Sequence, residues 1–440
     1  MNEVTVIGGG FAGCEAAMQL AKRGVRVRLF EMKPKRFSPA HKSEMLCELV
    51  CSNSFKAQRI ESAAGLLKAE MELLGSVCVK CAKETAVPAG GALAVDRDLF
   101  SAAVTREIEN EPNIEIVREE CVKIPREGVV IVAAGPLASE ALSADIASIC
   151  GAPLSFFDAA APIVTAESID MARAFTQSRY EKGGEDYVNC PMNKEEYEAF
   201  YAALVSAESV ILHDFEADGI YEGCMPIEVM AKRGENTIRF GPMKPVGLRD
   251  PATGHRPWAV LQLRKENAAG TMYNLVGFQT NLKFGEQQRV FSMIPALKNA
   301  EFVRYGVMHR NTFLKSPGLL TPACNTKQRP SLFFAGQITG VEGYMESAGS
   351  GILAGINAAR YVLGEEPLIL PQTTMLGAMS RYVADESITD FQPMGAAMGL
   401  LPPLDTRVRD KRLRYAALAE RALKDLNQAV SRAPRTSIND

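Results

Sequence analysis

Three glycines near the amino terminus have the spacing at which a backbone turn can hold a diphosphate. Gly8, Gly10 and Gly13 follow a short apolar strand, and a helix is predicted to begin at about Phe11. In this spacing the first glycine permits a tight turn, the second lets the backbone approach a pyrophosphate, and the third lets helix and strand pack closely. The free N–H groups at the start of the helix then face the phosphates.

Glu31 ends the second predicted strand, where a carboxylate can accept hydrogen bonds from ribose hydroxyls and would repel a 2′-phosphate. The pattern predicts a site for FAD or NAD rather than NADP.

Two later segments favour FAD. Residues 129–136 and 332–337 each read as a buried strand that ends in a turn of small residues, and a helix is predicted over about 347–363. Gly349 and Gly351 at the start of that helix suit a close approach of two backbones. This order resembles the FAD domain of glutathione-reductase-like flavoproteins, in which the last segment lies by the flavin. The expected cofactor contacts in these turns are Gly135, Gly336, Gln337 and Gly340.

The middle of the chain has a different pattern, with frequent Pro and Gly residues between short elements. Strands are predicted at about 237–240, 259–263 and 272–278, and a helix at about 194–207. We interpret this part as an inserted α+β domain that covers the flavin. The predicted fold class is therefore α/β, a Rossmann-type, glutathione-reductase-like FAD-binding domain split by an insertion and followed by a helical C-terminus. The expected bounds are residues 1–150 and 301–440 for the FAD-binding domain and 151–300 for the insertion domain.

Composition limits the classes of protein to which the chain can belong. With 440 residues, of which 47% are hydrophobic, it is long enough for two packed domains. The formal net charge of -3 means that the molecule as a whole is not an electrostatic binder of nucleic acid. The ten cysteines are scattered, no signal peptide is expected, and no apolar run approaches the roughly 18 residues of a membrane span. We therefore expect reduced thiols and a cytoplasmic protein.

A lone CxxC pair, Cys78 and Cys81, carries no metal prediction. No second CxxC and no histidine pair completes a zinc site. The surrounding valines predict a strand here, whereas redox-active CxxC motifs usually open a helix. We expect no metal in this protein.

Long blocks along almost the whole chain resemble the TrmFO family, the folate- and FAD-dependent tRNA (uracil-5-)-methyltransferases. The blocks that carry the resemblance occupy residues 30–34, 48–54, 88–97, 189–192, 240–248, 276–280, 304–312 and 340–344. The chain is also similar to the related MnmG family, which acts on tRNA uridine with FAD and folate. MnmG proteins carry a long helical C-terminal extension that is absent here, and this favours the TrmFO alternative.

The resemblance implies methylation of uracil C5 in the T-loop of tRNA, giving 5-methyluridine. Methylene would pass from methylenetetrahydrofolate to the N5 atom of reduced FAD and then to a uracil that a cysteine thiolate has activated at C6. NAD(P)H would supply the electrons. Cys51 and Cys224 match the two functional cysteines of the family, and we expect Cys51 to be the nucleophile and Cys224 to help remove the C5 proton. The sequence leaves the swapped assignment open.

Four further residues have interpretations that depend on the resemblance. His309 is expected to stack on the folate pterin, and Tyr344 to line the flavin pocket. Lys283 and Arg264 are possible contacts of the folate tail or of RNA phosphates, but solvated surface positions are the favoured interpretation of both.

Two basic clusters are candidate RNA contacts. Lys33, Lys35 and Arg36, with His41 and Lys42, predict a basic loop near the flavin end. The second cluster opens a helix predicted over 407–432, with apolar positions at Leu413, Ala417 and Leu423, and contains Arg407, Arg409, Lys411, Arg412 and Arg414.

The alternatives to methylation of tRNA are the same reaction on ribosomal RNA, an MnmG-like wobble-uridine reaction, a small-molecule flavin oxidoreductase and a FAD-binding scaffold without chemistry. The oligomeric state is left open.

Overall fold

The computed structural model describes residues 3–151, 154–181, 184–210 and 225–432. Its strands are β1 (Glu3–Ile7), β2 (Arg26–Phe30), β3 (Ser54–Ala57), β4 (Ala86–Val87), β5 (Ala92–Val95), β6 (Ile114–Val117), β7 (Val129–Val132), β8 (Leu154–Ala159), β9 (Ile163–Thr165), β10 (Phe175–Thr176), β11 (Tyr187–Met192), β12 (Ala259–Lys265), β13 (Met272–Leu275), β14 (Phe302–Arg304), β15 (Met308–Phe313) and β16 (Leu332–Phe334). Its helices are α1 (Phe11–Ala21), α2 (Ala63–Leu73), α3 (Val77–Glu84), α4 (Arg97–Glu109), α5 (Glu140–Cys150), α6 (Lys194–Ser206), α7 (Ile227–Lys232), α8 (Thr237–Phe240), α9 (Phe284–Phe291), α10 (Tyr344–Val362), α11 (Met375–Ala384) and α12 (Lys411–Arg432).

A five-stranded sheet in the order β16-β7-β1-β2-β6 carries the glycine-rich turn. All four strand pairs are parallel. The carboxyl ends of its strands therefore lie along one edge, where the turns after β1, β7 and β16 meet. The strands predicted within 129–136 and 332–337 are present as β7 and β16, and the predicted helix start at Phe11 is confirmed. The helix predicted from about residue 347 begins earlier, at Tyr344.

Helices α1 and α10 pack with their backbones almost in contact. A Cβ atom on Gly351 would lie 2.2 Å from the carbonyl oxygen of Ala12, and one on Gly355 would lie 2.6 Å from that of Ala16. Gly13 is equally constrained, since a Cβ there would lie 1.8 Å from the carbonyl oxygen of Gly8. The roles expected of Gly13 and Gly351 in close packing are confirmed. The approach brings the amino termini of both helices to the same edge of the sheet.

A second sheet, in the order β10-β11-β12-β13-β9-β14, is antiparallel and has its own apolar core. Helix α6 confirms the prediction at 194–207, and its N-cap Asn193 forms a capping box with Glu196. The predicted strands at 259–263 and 272–278 correspond to β12 and to the shorter β13. A separate ribbon pairs β8 with β15, and β3, β4 and β5 form a small third sheet.

The strand predicted at 237–240 is wrong, because these residues form α8. The turn satisfies its own backbone groups: the N–H of Phe240 donates to the carbonyl of Asn236, and the N–H of Met243 to the carbonyl of Ile238. Ile238 is fully buried, so this apolar residue anchors a helical turn rather than a strand.

The strand predicted around Cys78 and Cys81 is also wrong, because both residues lie in α3. The Ser76 hydroxyl caps the helix by accepting from the N–H of Val79, and the buried Glu15 carboxylate accepts from the N–H of Cys78 at 3.0 Å. These contacts at the amino end outweigh the β preference of the valines. Among the described residues, no group of three or more His, Cys, Asp or Glu side chains is placed to hold a metal ion.

Helix α12 begins at Lys411, later than predicted, and of its predicted apolar positions Leu423 packs against the core. Leu413 is 64% exposed, whereas Leu418, Ala419, Ala422 and Leu426 are buried. Within the described ranges, every helix is too short or too polar to cross a bilayer.

The close approach of α1 and α10 makes Gly351 sensitive to a single added carbon. We expect Gly351→Ala to destabilise the fold by about 1–3 kcal/mol, because the new methyl group must push one helix backbone away from the other. Gly399→Ala is the matched control, since no atom lies within 4 Å of a Cβ at Gly399. Thermal unfolding of both variants checks this, and equal melting temperatures would contradict it.

Candidate active site

A cavity of about 540 Å³ opens at the carboxyl edge of the parallel sheet. Its walls come from the turns of that sheet, from the loop around Cys51 and from the second sheet. The predicted site residues that line it are Gly8, Gly10, Glu31, Cys51, Gly135, Gly336, Gln337 and Tyr344. Two predicted cofactor contacts are not part of the lining: Gly13 packs α1 against the Gly8 turn, and Gly340 adopts a φ of +87° against the ring of Phe391.

The glycine turns leave room for a ligand at the positions where a phosphate would need it. No atom lies within 4 Å of a Cβ built on Gly10 or Gly135. The amino end of α1 has no side-chain cap, and neither has that of α10, whose N-cap residue Gly343 lines the same cavity. Two uncapped helix ends with open backbone N–H groups suit the diphosphate of a dinucleotide.

Glu31 is buried at the end of β2 and points into the same region. Its two carboxylate oxygens accept from the backbone N–H groups of Gly9 and Lys33, each at 3.0 Å. A carboxylate oxygen can accept more than one hydrogen bond, so both oxygens remain able to accept from a ribose hydroxyl. The chain therefore presents a carboxylate, an open glycine turn and a helix end in the order that FAD requires.

Cys51 lies on the cavity wall in direct contact with Tyr344. The hydroxyl oxygen of Tyr344 accepts from the N–H of Cys51 at 2.9 Å and is 3.0 Å from the Cys51 Sγ atom. The tyrosine ring stacks on Phe11, with 4.8 Å between the ring centroids. Burial, together with the nearby Cys51 thiol, raises the pKa of Tyr344 well above its ordinary value. The phenol therefore stays protonated at neutral pH and can exchange a hydrogen bond with the thiol.

Arg97 holds the backbone on both sides of Cys51. Its guanidinium donates to the carbonyl oxygens of Leu49 and Cys51, at 2.5 and 2.6 Å. The same group forms an ion pair with Glu266, 2.5 Å away, which lies just after β12 and is almost fully buried. Burial lowers the pKa of Arg97, but the attraction of Glu266 outweighs this and raises the pKa overall. The pair thus ties the Cys51 loop to the second sheet.

Two more arginines hold neighbouring residues of the same loop. Arg304 donates to the carbonyl oxygen of Val50. Arg264 donates to the Oγ atom of Ser52 and the Oδ1 atom of Asn53, both at 3.0 Å. The favoured expectation of a solvated surface position for Arg264 is wrong, because its side chain is buried on the loop.

The sequence reasoning missed Arg97, Glu266 and Arg304 as residues of the site. Arg97 and Arg304 lie within two of the blocks that resemble the family, 88–97 and 304–312. Membership of these blocks was the one sequence feature that could have marked them as site residues. Their partners are distant in the chain, so spacing alone does not identify what they hold.

Three other expected site residues lie away from this arrangement or outside the described part of the chain. Cys224 falls in 211–224, outside the described residues, as does the side chain of His309, whose backbone pairs with Asp158 in the β15–β8 ribbon. Lys283 is on the surface, where it forms an ion pair of 2.5 Å with Glu208.

The predicted basic loop near the flavin end carries little unbalanced charge. Lys33 is buried, with its Nζ atom donating to the carbonyl of Met45 at 2.6 Å. Lys35 and Arg36 pair with Glu119 and Glu120, which follow β6. Burial and the charge of Lys33 lower the pKa of His41, so its imidazole is neutral at pH 7.

The second basic cluster is on the surface. Arg407, Arg409, Lys411 and Arg412 are exposed where α12 begins. Lys411 and Arg414 both lie over the ring of Tyr415, each at 5.5 Å from its centroid.

Comparison with known proteins places the chain in a family. The family model described as glucose inhibited division protein A matches residues 3–366. A protein of Lactobacillus gasseri named methylenetetrahydrofolate–tRNA-(uracil-5-)-methyltransferase TrmFO is 58% identical over 427 residues, which are 97% of this chain and 98% of that protein. The chain belongs to the TrmFO family. A TrmFO relative of the same name from Acetivibrio thermocellus is also 58% identical, over 98% of this chain and 99% of its own.

Solved structures agree on the fold. The GidA protein of Aquifex aeolicus matches in two crystal forms, with TM-scores of 0.70 and 0.71 and sequence identities of 21% and 20%. The match covers 97% of this TrmFO family member and 73% and 76% of the two GidA chains. The mixed α/β fold of this chain is therefore that of GidA.

Loss of Arg97 should be more harmful than loss of the whole ion pair. Arg97→Gln leaves the Glu266 carboxylate buried without its cation, and we expect a destabilisation of about 3 kcal/mol. The double variant Arg97→Gln with Glu266→Gln no longer has that unpaired carboxylate and should recover part of that loss. Melting temperatures of the two single variants and the double variant test this. If the melting temperature of the double variant fell by the sum of the decreases in the two single variants, Arg97 and Glu266 would not be coupled.

Proposed function

We propose that this chain methylates C5 of a uracil in tRNA, using methylenetetrahydrofolate as the carbon donor, FAD as cofactor and NAD(P)H as reductant. The relatives that share 58% identity are named for this reaction. The observation that carries the proposal is that Cys51 and the open glycine turn belong to one cavity. A thiol beside a dinucleotide site is what activation of uracil next to a flavin needs, whereas a simple flavin oxidoreductase needs no thiol there.

The cavity residues supply the binding of FAD in this proposal. Gly8 and Gly10 would face the diphosphate, Glu31 the ribose, and Gly336 and Gln337 the flavin half. When bound, the flavin would supply the electron transfer that turns a one-carbon unit into a methyl group. The parallel sheet with its flanking segments 1–150 and 301–440 would form the FAD-binding domain, and 151–300 the insertion domain.

The thiols supply the activation of uracil. C5 of uracil is a poor nucleophile, and addition of a thiolate to C6 gives it enolate character. In this assignment Cys51 releases its proton to solvent and attacks C6 as a thiolate. The Tyr344 hydroxyl, 3.0 Å from the Sγ atom, donates a hydrogen bond to that thiolate. Cys224 removes the C5 proton after the carbon unit has been attached. Elimination of the thiolate then restores the uracil ring.

Backbone geometry around Cys51 suits this task. The carbonyl oxygens of Leu49, Val50 and Cys51 all accept from guanidinium groups, so the loop cannot move without breaking buried hydrogen bonds. A fixed loop keeps the Sγ atom at one position on the cavity wall, and fixed placement of a nucleophile accelerates attack.

The co-substrates would meet at this same cavity. His309 is assigned to the folate pterin on the strength of the family resemblance. RNA phosphates would contact the exposed basic cluster at the start of α12. The cytoplasm, where tRNA and reduced folates occur, is the proposed location.

The decisive assay follows the carbon atom into RNA. Purified flavin-containing protein is incubated with unmodified tRNA, NAD(P)H and methylenetetrahydrofolate labelled with ¹³C at the methylene carbon. We expect labelled 5-methyluridine in the mass spectrum of the digested RNA. A parallel incubation contains ribosomal RNA instead of tRNA. Label in the ribosomal RNA and none in the tRNA would identify ribosomal RNA as the substrate. Oxidation of NAD(P)H with neither RNA labelled would contradict the proposal in favour of a small-molecule oxidoreductase.

The two thiols can be assigned with RNA that contains 5-fluorouridine. Fluorine at C5 cannot leave as a cation, so a thiolate that has attacked C6 stays bound and the adduct survives denaturing electrophoresis. We expect Cys51→Ala to keep bound FAD but to lose both the adduct and methyl transfer. Cys224→Ala should lose methyl transfer and keep the adduct.

Cys150→Ala is the matched control, because Cys150 ends α5 and is not part of the cavity wall. It should keep both adduct and activity. An adduct retained by Cys51→Ala and lost by Cys224→Ala would reverse the two roles.

A further inference from the structure

Three aromatic rings, from β14, from the residue after it and from α9, form a near-parallel stack, which we call the ring ladder. The ring of Phe302 stacks on that of Tyr305, with centroids 5.3 Å apart and 9° between planes. Tyr305 in turn stacks on Phe284, with centroids 4.8 Å apart and 15° between planes. Aromatic pairs in proteins are often edge-to-face, but both contacts here are near-parallel. The three ring planes therefore share one stacking direction.

The ring ladder runs from the protein core to solvent. Phe302 packs against the apolar core of the second sheet, and Tyr305 is half-buried. Phe284, the first residue of α9, is 53% exposed although one face is covered by Tyr305. The other face is therefore open, and a flat ring added there would extend the stack by one step.

Hydrogen bonds fix the middle of the ring ladder beside the candidate active site. Gly306, next to Tyr305, exchanges two hydrogen bonds of 2.8 Å with the buried side chain of Gln287 in α9. A Cβ on Gly306 would lie 2.6 Å from the carbonyl oxygen of Ala160, which lines the cavity. On the other side of Tyr305, Arg304 donates to Val50, also part of the cavity wall.

We propose that the ring ladder is a stacking platform for an unpaired base of the RNA substrate, next to the uridine that enters the cavity. This rests on the proposed function. None of the three rings is part of the cavity wall, so the ring ladder lies outside the space assigned to FAD and folate. An RNA must lie across the surface beside the cavity once its target base has been turned out of the stack, and aromatic faces take up such unstacked bases.

The charges around the outer ring are compatible with a phosphate backbone. Lys283 precedes Phe284 and is paired with Glu208, but both side chains are more than half exposed. Such a pair contributes little stability in water, so the lysine can turn to a phosphate at small cost. The stacked base supplies the interaction that holds the strand in register.

The test compares RNA binding by three variants of the flavin-containing protein. Phe284→Ala removes the outer ring, and Phe284→Trp replaces it with a larger one. Phe240→Ala is the matched control, because Phe240 is 69% exposed on α8 and has no part in the ring ladder. Dissociation constants for unmodified tRNA at fixed salt are measured by fluorescence anisotropy, with bound flavin as the check on folding.

We expect Phe284→Ala to weaken RNA binding by about 5- to 150-fold, and Phe284→Trp and Phe240→Ala to bind as the wild type does. RNA binding by Phe284→Ala equal to that of the wild type would overturn the proposal, as would a raised folate KM with unchanged RNA binding. A change in oligomeric state in Phe284→Ala would assign the ring to a contact between copies instead. If the wild type itself fails to bind or methylate RNA, the proposed function fails, and the proposal with it.

Discussion

The buried ion pair between Arg97 and Glu266 is the constraint on which the candidate active site depends. Arg97 begins α4 beside the parallel sheet, whereas Glu266 follows β12 of the second sheet. Their contact fixes how the end of β12 meets the Cys51 loop, and the remaining guanidinium protons hold that loop. A buried pair of this kind adds little net stability over apolar packing, but it defines one arrangement and makes alternatives costly.

The cavity beside the glycine turn depends on a second feature, which is the near contact of the α1 and α10 backbones. Because Gly351 and Gly355 carry no side chains, α10 approaches α1 and its amino end reaches the same sheet edge. Tyr344 is the first residue of α10, so this packing also sets where its hydroxyl meets Cys51. The cavity proposed for the dinucleotide and the Cys51 thiol thus share one wall, and the position of α10 sets that wall.

Local patterns predicted much of this arrangement. The glycine turn, Glu31, the parallel strands and the α6 helix follow from spacing and capping residues, and all are present. The errors arose where contacts distant in the chain outweigh local preference. Glu15 stabilises the start of α3 from more than 60 residues earlier in the chain. Lys35 and Arg36, which follow β2, form ion pairs with Glu119 and Glu120, more than 80 residues later. Arg97 and Arg304 are in the same category, because their acceptors in the Cys51 loop are backbone carbonyls, which no side-chain pattern marks.

These roles require FAD to lie in this cavity with its ring system beside Cys51 and Tyr344. A crystal structure of the purified flavin-containing protein would show where the cofactor binds. We expect the diphosphate at the Gly8–Gly10 turn and the isoalloxazine ring within about 4 Å of the Cys51 or Tyr344 side chain. A flavin ring bound elsewhere, with Cys51 and Tyr344 facing solvent, would show that this cavity is not the flavin site.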